Sequence, residues 1–141
     1  MKLELRALAL VLCAASVSSC VHSPRPENLF GVWTGKSGNV LLVFRFFHDG
    51  RCEFLFEDAE SGSTQLINGN MEIDFSKTPI PLTVRNIPQL THSVHTIVEF
   101  LDDDTMRMAA FATRWRLRPI AFDPSTSMTL KKADSDPAAQ P

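Results

Sequence analysis

Between Phe30 and Lys132 apolar side chains recur at every second position, run after run, and this period constrains the fold more than any other feature. A strand turns successive side chains to opposite faces, whereas a helix needs a repeat near 3.6. Residues 40–47 alternate and residues 52–56 alternate again. His48-Asp49-Gly50-Arg51 between them holds Asp-Gly, a strong hairpin signal. Pairing the two runs puts Leu42, Phe44 and Phe46 on one face with Cys52, Phe54 and Phe56. Glu53, Glu57 and Arg45 point the other way, beside Val43 and Phe47.

The same grammar continues. Ser61-Gly62-Ser63 is a loop, 64–67 a short strand, Asn68-Gly69 a second hairpin turn and 71–75 the return strand. Pro79 and Pro81 interrupt a ladder, which makes 80–84 at best an edge strand. Residues 94–101 and 105–112 form a third hairpin around Asp102-Asp103-Asp104, with Val94, Val98, Phe100, Met106, Met108 and Ala110 inward. Runs 113–118 and 127–132 close the domain. Roughly eight to ten short strands with regular turns, and no amphipathic helix beyond a turn or two, predict an all-β barrel or sandwich.

Gly31-Val32-Trp33 opening the first strand resembles the Gly-x-Trp motif of lipocalin-like, calycin-type barrels. The run Glu72-Ile73-Asp74-Phe75-Ser76-Lys77-Thr78-Pro79, and Arg118-Pro119-Ile120-Ala121-Phe122 before a last strand with Leu130 and Lys131, are similar to segments of small bacterial domains of this kind. The resemblance implies an all-β, small up-and-down antiparallel β-barrel, in which Trp33 plugs the barrel floor and a late arginine, Arg116 or Arg118, packs across it. The chain departs from true lipocalins in length, in lacking a C-terminal helix and in lacking disulfides.

The start of the chain has a different character. Lys2 and Arg6 flank a basic n-region, and the apolar run 7–15 is far shorter than the roughly 20 residues of a spanning helix. It ends in Val17-Ser18-Ser19-Cys20, which resembles the bacterial lipoprotein lipobox. That resemblance implies a diacylglyceryl thioether on Cys20, cleavage before it, and acylation of the new amine. Several buried acyl chains, at roughly 0.8 kcal/mol per methylene, anchor stably. The expected organisation is signal peptide 1–19, lipidated Cys20 and tether 20–29, barrel 30–132 and a disordered polar tail 133–141. Val21 is not an inner-membrane retention aspartate, so the expected location is the cell envelope at the outer membrane.

Cleavage removes Cys13 and lipidation occupies Cys20, so Cys52 is left with no disulfide partner. Losing Lys2, Glu4 and Arg6 takes the formal charge from −2 to −3, which leaves no nucleic-acid footprint. Among candidate chemistries, Cys52 sits on an inward strand face and reads as a buried, inert thiol. His92 and His95 are three apart, a spacing that sends them to opposite faces of a strand and does not suit a shared metal. Asp102-Asp103-Asp104 reads as a solvated turn, because calcium needs six to eight oxygens from a shaped loop. No Ser-His-Asp order, phosphate loop or zinc spacing appears, so neither a catalytic role nor a cofactor or metal is expected.

Two binding surfaces remain. The interior, lined by Phe44, Phe46, Phe54, Phe56, Met106 and Met108, suits a small apolar molecule if it is hollow. Four phenylalanines of roughly 150–250 Å² each also fill a small barrel readily. The alternative is a protein-interaction module. Arg114, Arg116 and Arg118 alternate with Trp115 and Leu117, and as a strand they form one guanidinium stripe able to grip an acidic envelope protein or lipid phosphates. The plainer reading of the stripe is a solvated face paired with Glu53, Glu57 or Asp58. The expected protein is thus a membrane-anchored, non-enzymatic envelope lipoprotein that binds a small apolar molecule, with the arginine face as the rival site. Replacing the acylated cysteine, Cys20→Ser, should abolish fatty-acid labelling and membrane fractionation; normal labelling of that variant would end the lipoprotein reading.

Overall fold

The structure, a computed structural model, describes residues 25–134. The expected signal segment 1–19, Cys20, tether residues 21–24 and the tail from residue 135 onward lie outside the described residues. A single helical turn, α1 (Pro26–Leu29), precedes eight strands: β1 (Gly31–Ser37), β2 (Val40–Phe46), β3 (Arg51–Asp58), β4 (Thr64–Ile73), β5 (Ile80–Arg85), β6 (Val94–Asp102), β7 (Thr105–Met108) and β8 (Met128–Lys132). Each pairs with the next and β8 pairs back on β1, giving a closed up-and-down antiparallel barrel, an architecture consistent with a lipocalin-like fold.

The first hairpin follows the expected register. Phe44 lies opposite Phe54, Leu42 opposite Phe56 and Phe46 opposite Cys52. Gly50, at φ +87, makes the reversal, with its N–H donating to the Phe47 carbonyl at 3.1 Å. Inside, Phe44 and Phe54 meet edge to face at 4.7 Å between centroids, Phe44 and Phe56 at 5.5 Å, and Phe46 and Phe54 at 5.7 Å. Phe44, Phe54, Met106 and Met108 are fully buried, Phe46 nearly so and Phe56 partly.

The floor is built on Trp33, also fully buried. Its indole N–H donates to the Leu29 carbonyl at 2.7 Å, so α1 is held against the barrel floor. Lys132, across from Trp33 in the β1–β8 ladder, lays its Nζ 5.4 Å from the ring centroid and donates to the Asn28 carbonyl at 3.0 Å. The cation over the tryptophan is therefore this lysine and not Arg116 or Arg118. The last strand delivers it to the inward side, while both arginines lie on a loop outside.

Four other expectations are corrected. Asn68-Gly69 is no turn: β4 runs unbroken from Thr64 to Ile73. Gly69 is there for closeness, since a Cβ on it would lie 2.5 Å from the Arg85 carbonyl and 2.9 Å from Val84 Cγ1. The run from Ile80 to Val84 is no edge, because β5 pairs on both sides. Pro81 is tolerated because its nitrogen faces β4 just past Ile73, the last paired residue of that strand; its carbonyl accepts the Asp74 N–H at 3.2 Å. Strand β7 stops at Met108 and the pairing with β6 resumes one residue out of step at Ala112. The slip brings Phe111, and not Ala110, against Phe44 and Phe54, at 6.4 and 5.2 Å. Finally, 113–118 is not a strand. With β8 closed on β1 there is no free edge for another, and the chain instead makes a 3-10 turn at Trp115–Leu117.

Removing a ring from the interior, by Phe54→Ala or Phe44→Ala, should cost about 3–5 kcal/mol in urea unfolding. Phe47→Ala removes a half-buried outward ring over which Arg51 lies at 5.0 Å, and should cost clearly less. Equal losses would contradict the register.

Candidate functional site

On β5 and β6 the inward residues are Ile80, Leu82 and Val84, then Val94, Thr96, Val98 and Phe100; the alternate positions Thr83, His95 and Ile97 must face outward. Yet Thr83, His95 and Ile97 are only 4%, 8% and 3% exposed. The long connection between β7 and β8 covers them. It leaves the barrel after Ala112, whose N–H and carbonyl both bond to the His95 backbone at 2.8 Å, and then lies across the outer wall. Phe122, further along, rests on Arg107 with the guanidinium carbon 4.3 Å from its ring centroid.

Arg118 pins this connection. Its Nη2 donates to Thr83 Oγ1 and lies 3.2 Å from His95 Nδ1, while Thr83 Oγ1 is 3.0 Å from the same nitrogen. A guanidinium only donates. The Thr83 oxygen therefore accepts from Arg118 and turns its own hydrogen toward His95, so Nδ1 must act as acceptor. The neutral imidazole then carries its proton on Nε2, which points away from Thr83 and has no protein partner among the described residues. Burial first, then the charges of Arg118 and Arg85, hold the His95 pKa below its ordinary value; Glu72 opposes them.

The arginine stripe is thus dismantled. Arg118 is half-buried and structural, while Arg114 and Arg116 stay exposed beside Trp115. The Arg116 guanidinium carbon lies 5.5 Å from the Trp115 ring centroid. None of the expected partners, Glu53, Glu57 or Asp58, pairs with them: Glu53 binds Arg45 at 3.5 Å, and no salt bridge among the described residues takes Arg114 or Arg116. Two clefts meet at Trp115 and Arg116. One, of about 480 Å³, is walled by Arg85, Ser93, His95 and Arg114. The other, of about 700 Å³, is walled by Pro79, Pro81, Ile97, Pro119 and Ile120, with Lys77 at its rim. Arg85 is held by Glu72 at 2.6 Å.

Comparison with protein-family models, with curated proteins and with solved structures found no match. The site is therefore read from its own chemistry.

The remaining candidates fall elsewhere. Cys52 is buried, its Sγ 3.7 Å from the Gly69 carbonyl, and burial pushes its thiol up to about 12. Asp102 accepts the Asp104 N–H at 2.8 Å and Asp103 accepts from Asn28 at 3.0 Å, so the acidic tip is spent on its own turn and on α1. Among the described residues no group of acidic, histidine or cysteine side chains is arranged to hold a metal. His92 is exposed on the β5–β6 loop, apart from His95. His95 was invisible as a site residue because its histidine spacing drew attention to His92; the available signal was its outward phase opposite Thr83 in the β5–β6 register.

The network sets a pH dependence. With a folded pKa below the unfolded value of 6.5, His95 takes up its proton more readily in the unfolded chain. Its contribution to stability is complete above about pH 6.5 and is lost as pH falls through the folded pKa. His95→Asn keeps an acceptor for Thr83 near the Nδ1 position and cannot titrate. It should flatten the stability loss that the wild type shows as pH falls below about 6.5 in urea unfolding; parallel curves would refute the assignment.

Proposed function

We propose that this chain is a lipid-anchored, non-enzymatic envelope protein that binds through the outer wall of its barrel, at the clefts around Trp115. The observation that carries this reading is where exposed apolar surface lies. Among the described residues the large apolar side chains left open are Leu66, Leu101, Trp115, Leu117 and Ile120, at 42%, 48%, 68%, 64% and 89% exposure. Three of the five fall within one short stretch, interleaved with two arginines that have no acidic partner. Leaving such groups in water gains the folded domain nothing, and clustered exposed apolar groups mark interaction sites. Aromatic and arginine side chains together are also the pair most enriched where binding energy concentrates.

The barrel itself is compatible with a small-ligand-binding lipocalin-like domain. The packing of Phe44, Phe46, Phe54, Phe111, Met106 and Met108 against one another favours the outer wall over the interior as the binding surface. The lipid anchor rests on the residues around Cys20. Docking of Pro26–Leu29 on the barrel leaves residues 21–25 between Cys20 and the domain, about 18 Å at most when extended, which keeps the outer wall within reach of envelope components.

A photo-crosslinking residue in place of Trp115 should form adducts in intact cells. The same residue in place of Lys36, exposed on β1 at the far side of the barrel, should form few or none. Equal crosslinking from both positions, or none from position 115, would overturn the outer-wall reading.

A further inference from the structure

We propose that the partner of the outer wall is the bilayer surface itself: the connection between β7 and β8 inserts Trp115, Leu117 and Ile120 into the lipid interface, with Arg114 and Arg116 on the lipid phosphates. The lipidated domain then lies on its membrane with the outer wall of β5 and β6 downward. This rests on the anchored, outer-wall reading and names its partner. The first support is topological. In an up-and-down barrel the start of β1 and the β2–β3, β4–β5 and β6–β7 connections share one end. The tether enters at that end: α1 leads directly into β1, and its Asn28 amide donates to Asp103 in the β6–β7 turn at 3.0 Å. The patch reaches the same end, because Arg116, Pro119 and Ile120 adjoin Lys77, Thr78 and Pro79 of the β4–β5 connection. Residues 21–25, about 18 Å at most when extended, therefore join the acylated Cys20 to the end of the domain that the exposed apolar residues reach.

The second support is shape. Ile120 is 89% exposed, and Trp115 and Leu117 are each more than half exposed. Such side chains stand out from the surface. A folded protein partner must offer a fitted pocket to each anchor, whereas a bilayer accepts protruding apolar groups without one. Tryptophan is favoured at the lipid interface, and arginine can lay its stem along apolar surface while its guanidinium stays at the phosphates. The third support is charge. Lys77 and Arg85, which border the clefts, are matched by Asp74 at 3.3 Å and by Glu72 at 2.6 Å. Arg114 and Arg116, on either side of Trp115, have no acidic partner among the described residues, and lipid phosphates supply one. The acidic turn Asp102-Asp103-Asp104 lies at the tethered end, so net charge does not draw the domain down. Apolar insertion does, aided by a short tether that holds the patch at an effective concentration of about millimolar, where even a weak surface is occupied.

The test uses the full chain, processed in a bacterium and reconstituted into vesicles of phosphatidylcholine and phosphatidylglycerol whose acyl chains are plain or brominated. Acyl groups found by mass, and flotation with the vesicles, report the anchor independently. The chain has two tryptophans, Trp33 fully buried and Trp115 exposed, so bromine in the bilayer reads Trp115 while Trp33 emission certifies the fold. Brominated chains should remove most of the Trp115 emission, and Trp115→Phe should abolish that loss. Ile120→Ser, and the pair Arg114→Gln with Arg116→Gln, should each reduce the loss by about half or more. A reporter moved to the far side of the barrel, Lys36→Trp in the Trp115→Phe background, should show no loss. An anchored protein whose Trp115 emission is indifferent to bromine would overturn the proposal and leave the outer wall to a protein or soluble partner. Equal loss from positions 36 and 115, or an Ile120→Ser variant quenched like the wild type, would also overturn it. A chain without acyl groups would remove the anchored reading, and the proposal with it.

Discussion

Closure of β8 on β1 is the constraint on which the rest of this structure depends. Gly35 makes it sterically feasible, since a Cβ there would sit 2.6 Å from the Thr129 carbonyl and 2.9 Å from Leu130 Cδ2. Closure satisfies the backbone groups of both terminal strands and removes every edge. It also brings Lys132 over Trp33 and lets α1 seal the floor through the Leu29 carbonyl. The same closure excludes the connection between β7 and β8 from the sheet. That connection has no strand to pair with, so it drapes over the outside of β5 and β6 and is fastened by Arg118.

From that displacement comes the chemistry of the outer wall. Positions that alternation sends to solvent are roofed over, so a threonine and a histidine that would otherwise be hydrated must satisfy each other. Arg118 fixes the direction of their hydrogen bonds, and direction decides which imidazole nitrogen keeps its proton. The apolar residues of the connection, having no core left to enter, remain outside. Interior and exterior thus differ in kind: the interior is closed by ring-on-ring packing, and the exterior is left with exposed apolar side chains beside Arg114 and Arg116, which have no acidic partner among the described residues.

Much of the fold was legible in the sequence because alternation and turn chemistry agreed. Phe44, Phe54 and Gly50 carry the first hairpin in both sequence and structure; strand number and spacing pointed to a barrel or a sandwich, and the resemblance at Gly31-Val32-Trp33 chose the barrel. The errors share a cause. Asn68-Gly69 has the composition of a turn, but Gly69 serves a close approach of the Arg85 backbone that no local pattern encodes. Arg114, Arg116 and Arg118 have the period of a strand, but a strand needs a neighbour, and neighbours are a property of the whole sheet. Trp33 was read correctly as the floor residue and its cation was not, because Lys132 reaches it through a pairing between the two ends of the domain. His95 went unread for the same reason: its partners Thr83 and Arg118 come from another strand and from a loop.

The hydrogen bond from Lys132 to the Asn28 carbonyl joins residues 104 apart in the chain. A domain sealed by its first and last elements has no native floor until the final strand is present. Loop-closure entropy must be met before those contacts can repay it. During synthesis such a chain emerges in order, and β1, with its Trp33 buried in the finished fold, waits for β8 with an open edge and an uncovered indole. The topology therefore makes the period between synthesis and closure the time of greatest vulnerability to aggregation and proteolysis, and places control of that period in the last strand.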